Sequence, residues 1–533
     1  MSARIDRLVY AAALVLGALP LWVSSHLPMV DLPQHLHLIS VLHRLDDPTT
    51  LYPQLFAARH ELTPYLGYYY AVSLLNWLLP LEPANRLFLS AYVVGLPLSL
   101  AFLLRGLGRP TWPSLLALPL AYGDSFGWGF INYLAALPLA LLCCGFFVRA
   151  LTDSGRRRTW AAWLGGTLVA VLLFHVQAFA FLGLALPWLL LTTPVPEEPG
   201  VKGLVTGDPA ARGVRGFAAR LRPRLPALLG VLPGVTLFLA WVVLRLGQPA
   251  EVETGAPWKA WGPMLSPQNL AWKSFEQNRA ELLEVLANLL RDGSDRWPLQ
   301  AVGAVAACAV VLGVVRGDSR GEGVVARLRL PGLVVLALGF YFLLPFDIRG
   351  YIYYLNTRYA QLAAVLAVAS VPVTRPALRR PLLWASAGCA LLLALVLGQG
   401  FRAFSREASE WDTLVEATAQ KPRVMGLIFD AGSRVVRHPV FLHGAAELAR
   451  ARGGSTNFSF ALTPHSPLRY CGTPPPTFPS EWQPADFDYA TQGPAYDHFL
   501  VRGVHPSRIF GARLQQELAV AAQAGDSWLV RRR

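Results

Sequence analysis

Charge is what this 533-residue chain has least of. Asp, Glu, Lys and Arg together make up 15% of it, too little for an ordinary soluble protein of that length. Lysine occurs only at 202, 259, 273 and 421, so the formal net charge of +14 is carried mostly by arginine. Cysteine is scarce as well. Cys143, Cys144, Cys308 and Cys389 lie in apolar runs and Cys471 stands alone, which leaves no disulfide framework and no metal-ligand spacing. The motifs of the common soluble enzymes are missing: there is no Walker A loop, no H-E-x-x-H, no nucleophile elbow, and no G-x-G-x-x-G at a strand-to-helix turn. No internal repeat is visible, and no paired halves with interrupted helices, the pattern expected of a transporter.

What the chain has in quantity is apolar sequence. Apolar residues make up 54% and the mean hydropathy is +0.39. The apolar runs recur at bilayer-crossing length, so the fold class is a polytopic α-helical membrane protein. In a soluble protein a charge of +14 would suggest nucleic acid. Here the arginines fall in short blocks between apolar runs, which is the positive-inside pattern, and no nucleic-acid partner is expected.

Eleven spans are expected: 8–25, 86–104, 112–125, 132–150, 159–175, 177–193, 226–246, 299–316, 330–346, 359–374 and 382–401. Arg4 and Arg7 precede the first, which reads as a retained signal anchor. The N-terminus is then cytoplasmic and the C-terminus external. Residues 64–80 decide the parity. If they crossed, the basic blocks Arg105 with Arg109, Arg156 to Arg158 and Lys202 to Arg224 would all move outside. The segment's tyrosines, Asn76 and Trp77 suit an interface, so it is expected to lie along the outer surface.

Two domains follow. Residues 1–401 form the membrane domain, with external loops at 26–85 and 247–298. In the second loop Ser266-Pro267 is expected to start an amphipathic helix carrying Leu270, Phe275, Leu282, Leu286 and Leu289. Residues 402–533 are charged throughout and are expected to form an extracytoplasmic α/β domain. Strands are expected at 423–429, 458–462, 498–502 and 528–530, and helices at 440–452 and 511–523.

With this topology the polar residues that interrupt the apolar runs converge on the outer face, and such convergence at membrane depth marks a candidate site. Asp31 stands in M-V-D-L-P-Q-H-L-H, just past the first span. It is either the N-cap of a helix with Pro33 in its first turn or a base that takes a hydroxyl proton. His35, four residues on, shares its face and either holds that carboxylate, binds phosphate or is interfacial. His175 and Gln177 cap the outer end of a span. Arg349, Asn356 and Arg358 lie in L-P-F-D-I-R-G-Y-I-Y-Y-L-N-T-R, where an arginine can clamp phosphate bidentately or only anchor a helix end. His438 and His443 in H-P-V-F-L-H read as surface or structural.

The order of these features resembles the type C glycosyltransferases, which use polyprenyl-phosphate sugars. It is most similar to the bacterial branch containing the lipid A aminoarabinose transferases, with the protein O-mannosyltransferases more distant. The resemblance is carried at motif level by about the first 150 residues: an acid after the first span in D-L-P-Q-H, and T-P-Y-L-G-Y-Y-Y, which looks like the family's juxtamembrane helix. It implies that Asp31 is the base activating the acceptor. It implies a second acid at the start of the fourth span, where W-G-F-I-N-Y-L has Asn132 instead, with Asp124 eight residues earlier. A divalent cation is thus an open question, and Asn132 joins His35, His175, Arg349, Asn356 and Arg358 as a substrate-binding candidate.

The expected function is an inverting transfer of a sugar from a polyprenyl-phosphate donor to an envelope glycan, lipid or protein, at the outer face of a bacterial inner membrane. The alternatives are a non-catalytic envelope-assembly protein and a transporter of a lipid-linked substrate.

Overall fold

The computed structural model describes residues 2–195, 221–246, 266–316, 324–349, 352–372, 376–463 and 465–533. Residues 247–265 of the second external loop, and most of the basic block from Lys202 to Arg224, lie outside the described residues.

The chain is a multi-pass helical membrane protein. Its first helix, α1 (Ser2–Ala18), passes into a 3-10 turn at Leu19–Leu21. Two helices follow, α2 (Leu32–His43) and α3 (Gly67–Leu75). The membrane series then runs α4 (Leu81–Gly106), a short α5 (Asp124–Trp128), α6 (Ile131–Thr152), α7 (Arg157–Phe174), α8 (Val176–Thr192) and α9 (Leu225–Leu246). Beyond the short α10 (Phe275–Glu281) come α11 (Arg296–Arg316), α12 (Val324–Leu343), α13 (Arg358–Ala369) and α14 (Pro376–Ala408).

Among the described residues six helices are long and apolar enough to cross a bilayer, namely α4, α6, α9, α11, α12 and the one beginning at Pro376. The count of eleven is not reached by this measure. Helices α1 and α8 have 17 residues and α13 has 12, short of the ~20 that a ~30 Å core asks of a straight helix. The expected span 112–125 is not one helix. It breaks into a 3-10 turn at Trp112–Leu116, a helical turn at Ala117–Leu120 and the start of α5, since Pro113, Pro119 and Gly123 each interrupt regular helix. At nine residues α3 rises only about 14 Å at ~1.5 Å per residue and does not cross.

The second external loop also differs from expectation. Ser266-Pro267 opens only the 3-10 turn Pro267–Asn269, with no side-chain cap. Helix α10 starts eight residues later, where Ser274 and Gln277 form a reciprocal capping box that satisfies two of its free N–H groups.

The C-terminal region is α/β. Its sheet has the order β5-β4-β7-β9-β8, built from β4 (Arg423–Ile428), β5 (Ser455–Thr456), β7 (His498–Arg502), β8 (Leu518–Ala524) and β9 (Ser527–Arg532). β4 is parallel to β5 and β7, while β9 is antiparallel to β7 and β8. Alternation along β4 and β7 sends Val424, Ile428 and Leu500 to one face, against Leu414 and Leu448. These two come from α15 (Glu410–Ala417) and α16 (Gly444–Arg452). Met425, Leu427, Phe499 and Val501 face the other way, onto Phe478, Tyr496 and Phe510.

Two expectations fail here. Residues 458–462 hold a 3-10 turn, Phe460–Leu462, with β5 just before it. The helix expected at 511–523 is reduced to the turn Arg513–Gln516, and β8 follows it. The helix-forming sequence L-A-V-A-A-Q-A is held in a hairpin by its ladder to β9, a tertiary pairing that outweighs propensity.

The two regions share a core. Val436, Val440, Phe441, Leu442, Ala461 and Leu468 belong to the same buried cluster as Leu36, Ile39, Leu118 and Phe401. Strand β1 (Phe56–Ala58) pairs antiparallel with β6 (Leu468–Tyr470), and β2 (Leu270–Ala271) with β3 (Asp347–Ile348).

Candidate active site

The segment Gly127-Trp128-Gly129-Phe130, which ends α5 and leads into α6, is the floor of the site. On one side it carries the acid: the Val30 N–H donates to Gly127 O at 2.9 Å and the Asp31 N–H to Trp128 O at 3.1 Å. On the other, the Arg358 guanidinium lies 4.0 Å above the Phe130 ring. Gly129 has φ +85, and a Cβ there would stand 3.1 Å from the Asp31 nitrogen, so only glycine fits both the conformation and the space. The sequence thus brings two chemically opposite groups, far apart in the chain, to the two edges of one turn.

Asp31 occupies the N-cap position of α2, yet its side chain accepts none of the helix N–H groups. Its Oδ1 instead lies 3.4 Å from His443 Nε2, and it is 20% exposed. The other nitrogen of His443 is 3.5 Å from Glu481, which is 29% exposed. His443 is buried between the two carboxylates. They raise its proton affinity above the ordinary imidazole value even though burial opposes this, while burial raises Glu481 above the usual carboxylate range.

His35 meets Asp31 only through the helix backbone, its N–H donating to Asp31 O at 3.0 Å. Its ring bridges the Tyr69 hydroxyl at 2.8 Å and Gly129 O at 3.2 Å, and burial pushes its pKa down to about 4, so near neutral pH it is an uncharged tie between α2, α3 and the floor. Asn132 accepts from the Tyr68 N–H at 3.2 Å and so fixes the start of α3. Asn356 is fully buried and donates to Asn278 Oδ1 at 3.2 Å and to Tyr341 O at 2.8 Å, joining the 347–358 loop to α10 and α12. The Arg349 side chain is exposed, and its backbone N–H donates to Asn269 O at 2.8 Å.

Arg358, His175 and Gln177 form one cluster. Arg358 Nη1 donates to His175 Nε2 at 3.0 Å and to Gln177 Oε1 at 3.2 Å. The Gln177 N–H points at His175 Nδ1 at 3.2 Å. Both ring nitrogens of His175 therefore face donors, although an imidazole carries at least one N–H of its own. The Arg358 Nε and Gln177 Nε2 atoms are buried with no protein acceptor. Three donors thus converge without an acceptor to match, a costly arrangement that an anion would relieve. Arg358 also lies within electrostatic range of Asp31.

Sequence reasoning missed His438, His443 and Glu481. Both histidines are buried. His438 Nε2 reaches Asp124 at 3.1 Å, where Asn288 also donates at 2.9 Å. Its ring fills the space that a side chain on Gly127 would need. The available signal was the spacing of two histidines in H-P-V-F-L-H together with two unexplained upstream acids.

A two-carboxylate metal site does not fit these residues. Asn132 is committed to the Tyr68 N–H and Asp124 to His438 and Asn288. Among the described residues no three His, Cys, Asp or Glu side chains cluster with metal-binding geometry.

No protein-family model and no curated protein matches the sequence. Solved structures do match in fold. ArnT from Cupriavidus metallidurans bound to undecaprenyl phosphate superposes with a TM-score of 0.54 at 12% identity, over 99% of this chain and 98% of that one. Its apo form gives 0.51 at 13%, over the same shares. The mycobacterial arabinofuranosyltransferase AftD aligns over 98% of this chain but 40% of its own, with a TM-score of 0.47 at 14%. The chain has the type C glycosyltransferase fold.

Proposed function

We propose that the protein is an inverting glycosyltransferase of the bacterial inner membrane, moving a sugar from a polyprenyl-phosphate donor to an envelope glycan, lipid or protein on the outer face. The observation that carries this reading is the pairing, across one four-residue turn, of an uncapped carboxylate at Asp31 with the donor-rich cluster of Arg358, His175 and Gln177. A base and an anion clamp on either side of one turn are what a single displacement at a phosphate-linked sugar requires.

In that reaction the lipid-borne donor enters laterally from the membrane. Its phosphate lies on Arg358 and the Gln177 amide, whose charge-assisted hydrogen bonds strengthen as the leaving group gains charge. The acceptor hydroxyl approaches from the Asp31 side, gives its proton to the carboxylate and attacks the anomeric carbon opposite the phosphate, which inverts it. No step passes through a metal. His35, Asn132 and Asn356 hold the floor, α3 and the 347–358 loop in place. The similarity to an ArnT structure that holds undecaprenyl phosphate supports the donor class. Convergence of the polar groups at one place favours an enzyme over a transporter, whose polar residues should follow a path through the membrane.

The test is Asp31→Asn at matched membrane abundance, with envelope glycans and polyprenyl-phosphate sugars measured by mass spectrometry. Asn caps a helix about as well as Asp, so a structural role predicts little change. A base predicts a loss of ~10²–10⁴-fold in transfer and build-up of the lipid-linked sugar. Near-normal product in the variant would refute the proposal.

A further inference from the structure

An isolated aspartate is a weak base for a sugar hydroxyl, and Asp31 is not isolated. The ring that meets it, His443, is 3% exposed, and each of its nitrogens faces a different carboxylate, Asp31 at 3.4 Å and Glu481 at 3.5 Å. These distances are long for hydrogen bonds, as is common before a substrate tightens a site. We propose that His443, held by Glu481, is the positioning residue of Asp31: it aligns the carboxylate and draws off the proton that Asp31 takes from the acceptor. This rests on reading Asp31 as the base.

With its Nδ1–H turned to Glu481, neutral His443 presents the Nε2 lone pair to the Asp31 carboxylate. Two acceptors then face each other, and a proton arriving between them removes the repulsion. The pair consequently binds a proton more tightly than a lone carboxylate does, and the imidazolium that forms has carboxylates on both sides. The logic is that of a histidine oriented by an acid on its far side, with Asp31 interposed between it and the substrate.

The bookkeeping closes. The acceptor O–H breaks and its oxygen bonds to the anomeric carbon, while the bond from that carbon to phosphate breaks and leaves its electron pair on the lipid phosphate. The proton passes from Asp31 Oδ1 to His443 Nε2 and leaves to water once product departs, on the side where Asp31 and Glu481 are partly exposed.

Among the described residues, Asp31 at the start of α2 and Glu481 flank this ring, Phe460 packs on it at 5.7 Å, and His35 of α2 lies within electrostatic range. His35 stays neutral down to about pH 4 and Phe460 does not titrate. A titration of transfer near neutrality would therefore report His443, whose proton affinity the neighbouring Glu481 raises. Since His443 must be neutral to receive a proton, and its proton affinity is raised, transfer should rise with pH through a midpoint above the ordinary imidazole value of ~6.5.

The experiment uses detergent-permeabilised membranes carrying the full-length protein. They are supplied with the lipid extract of Asp31→Asn cells as donor, and donor consumption is followed by mass spectrometry from about pH 5.5 to 8.5. His443→Gln should slow transfer at least about tenfold and abolish the rise with pH. Glu481→Gln should keep the rise but move its midpoint to lower pH, because the charge that raises His443 is gone. If His443→Gln does not fold, Glu481→Gln alone decides. An inactive Asp31→Asn beside Glu481→Gln and His443→Gln variants with the wild-type rate and midpoint would overturn the inference and leave the base standing. An active Asp31→Asn would remove the base reading itself.

Discussion

Arginine at position 358 does more than place a positive charge. Its Nη1 already holds His175 and Gln177, its Nη2 reaches Tyr353 O at 3.3 Å, and its Nε has no protein acceptor. A lysine keeps the charge but has one compact ammonium, which cannot span those partners and a phosphate together. Arg358→Lys should therefore leave the protein folded while weakening donor binding by about tenfold to a hundredfold, from the ~1.5–3 kcal/mol of a hydrogen bond to a charged group. Stabilisation against heat by added undecaprenyl phosphate measures this. An undiminished thermal shift in the variant would reduce Arg358 to a helix anchor.

Helix α3 sets the orientation of every later element. It is too short to cross, and it is tied down at its start by Asn132 on the Tyr68 N–H and in its first turn by Tyr69 on His35. Tyr68 in turn donates to Asn85 of α4 at 2.7 Å. A helix with those bonds cannot reinsert without breaking buried polar contacts, each costing ~1–3 kcal/mol. Reporter fusions at Arg105 and Arg157 should accordingly report cytoplasm. An external signal at both would reverse the topology and put the site on the wrong face.

At the scale of the whole molecule, the C-terminal region is built into the site. His438 grips the floor through Asp124, His443 meets Asp31, and β6 pairs with β1. Phe441, between the two histidines, is fully buried. It packs on Phe404 and Trp411 and lies under the Arg502 guanidinium at 3.9 Å. Phe441→Ala should cost about 3–5 kcal/mol from lost transfer energy and the cavity left behind, read as a lower thermal midpoint. Transfer should fall with it, since Phe441 sits between the two histidines. A variant that melted like the wild type would show the interface to be a loose dock.

Class and many elements were legible from local pattern, because bilayer-length apolar runs and period-2 alternation are written residue by residue. The membrane class, the short helix within 64–80 and the strands at 423–429 and 498–502 came from that. So did Asp31 and Arg358 as candidates, because polar groups beside apolar runs are costly enough to stand out. What local pattern does not carry is which distant group meets which. His443 looked like a surface histidine because nothing near it in sequence is its partner, and β8 looked helical because its partner strand outweighs its propensity. The span 112–125 met the hydropathy test, but its prolines decided its shape. Hydropathy and propensity are properties of a segment and can be read from the sequence. The Asp31–His443–Glu481 bracket and the donor surplus at Arg358 are properties of juxtaposition, and only the folded chain decides them.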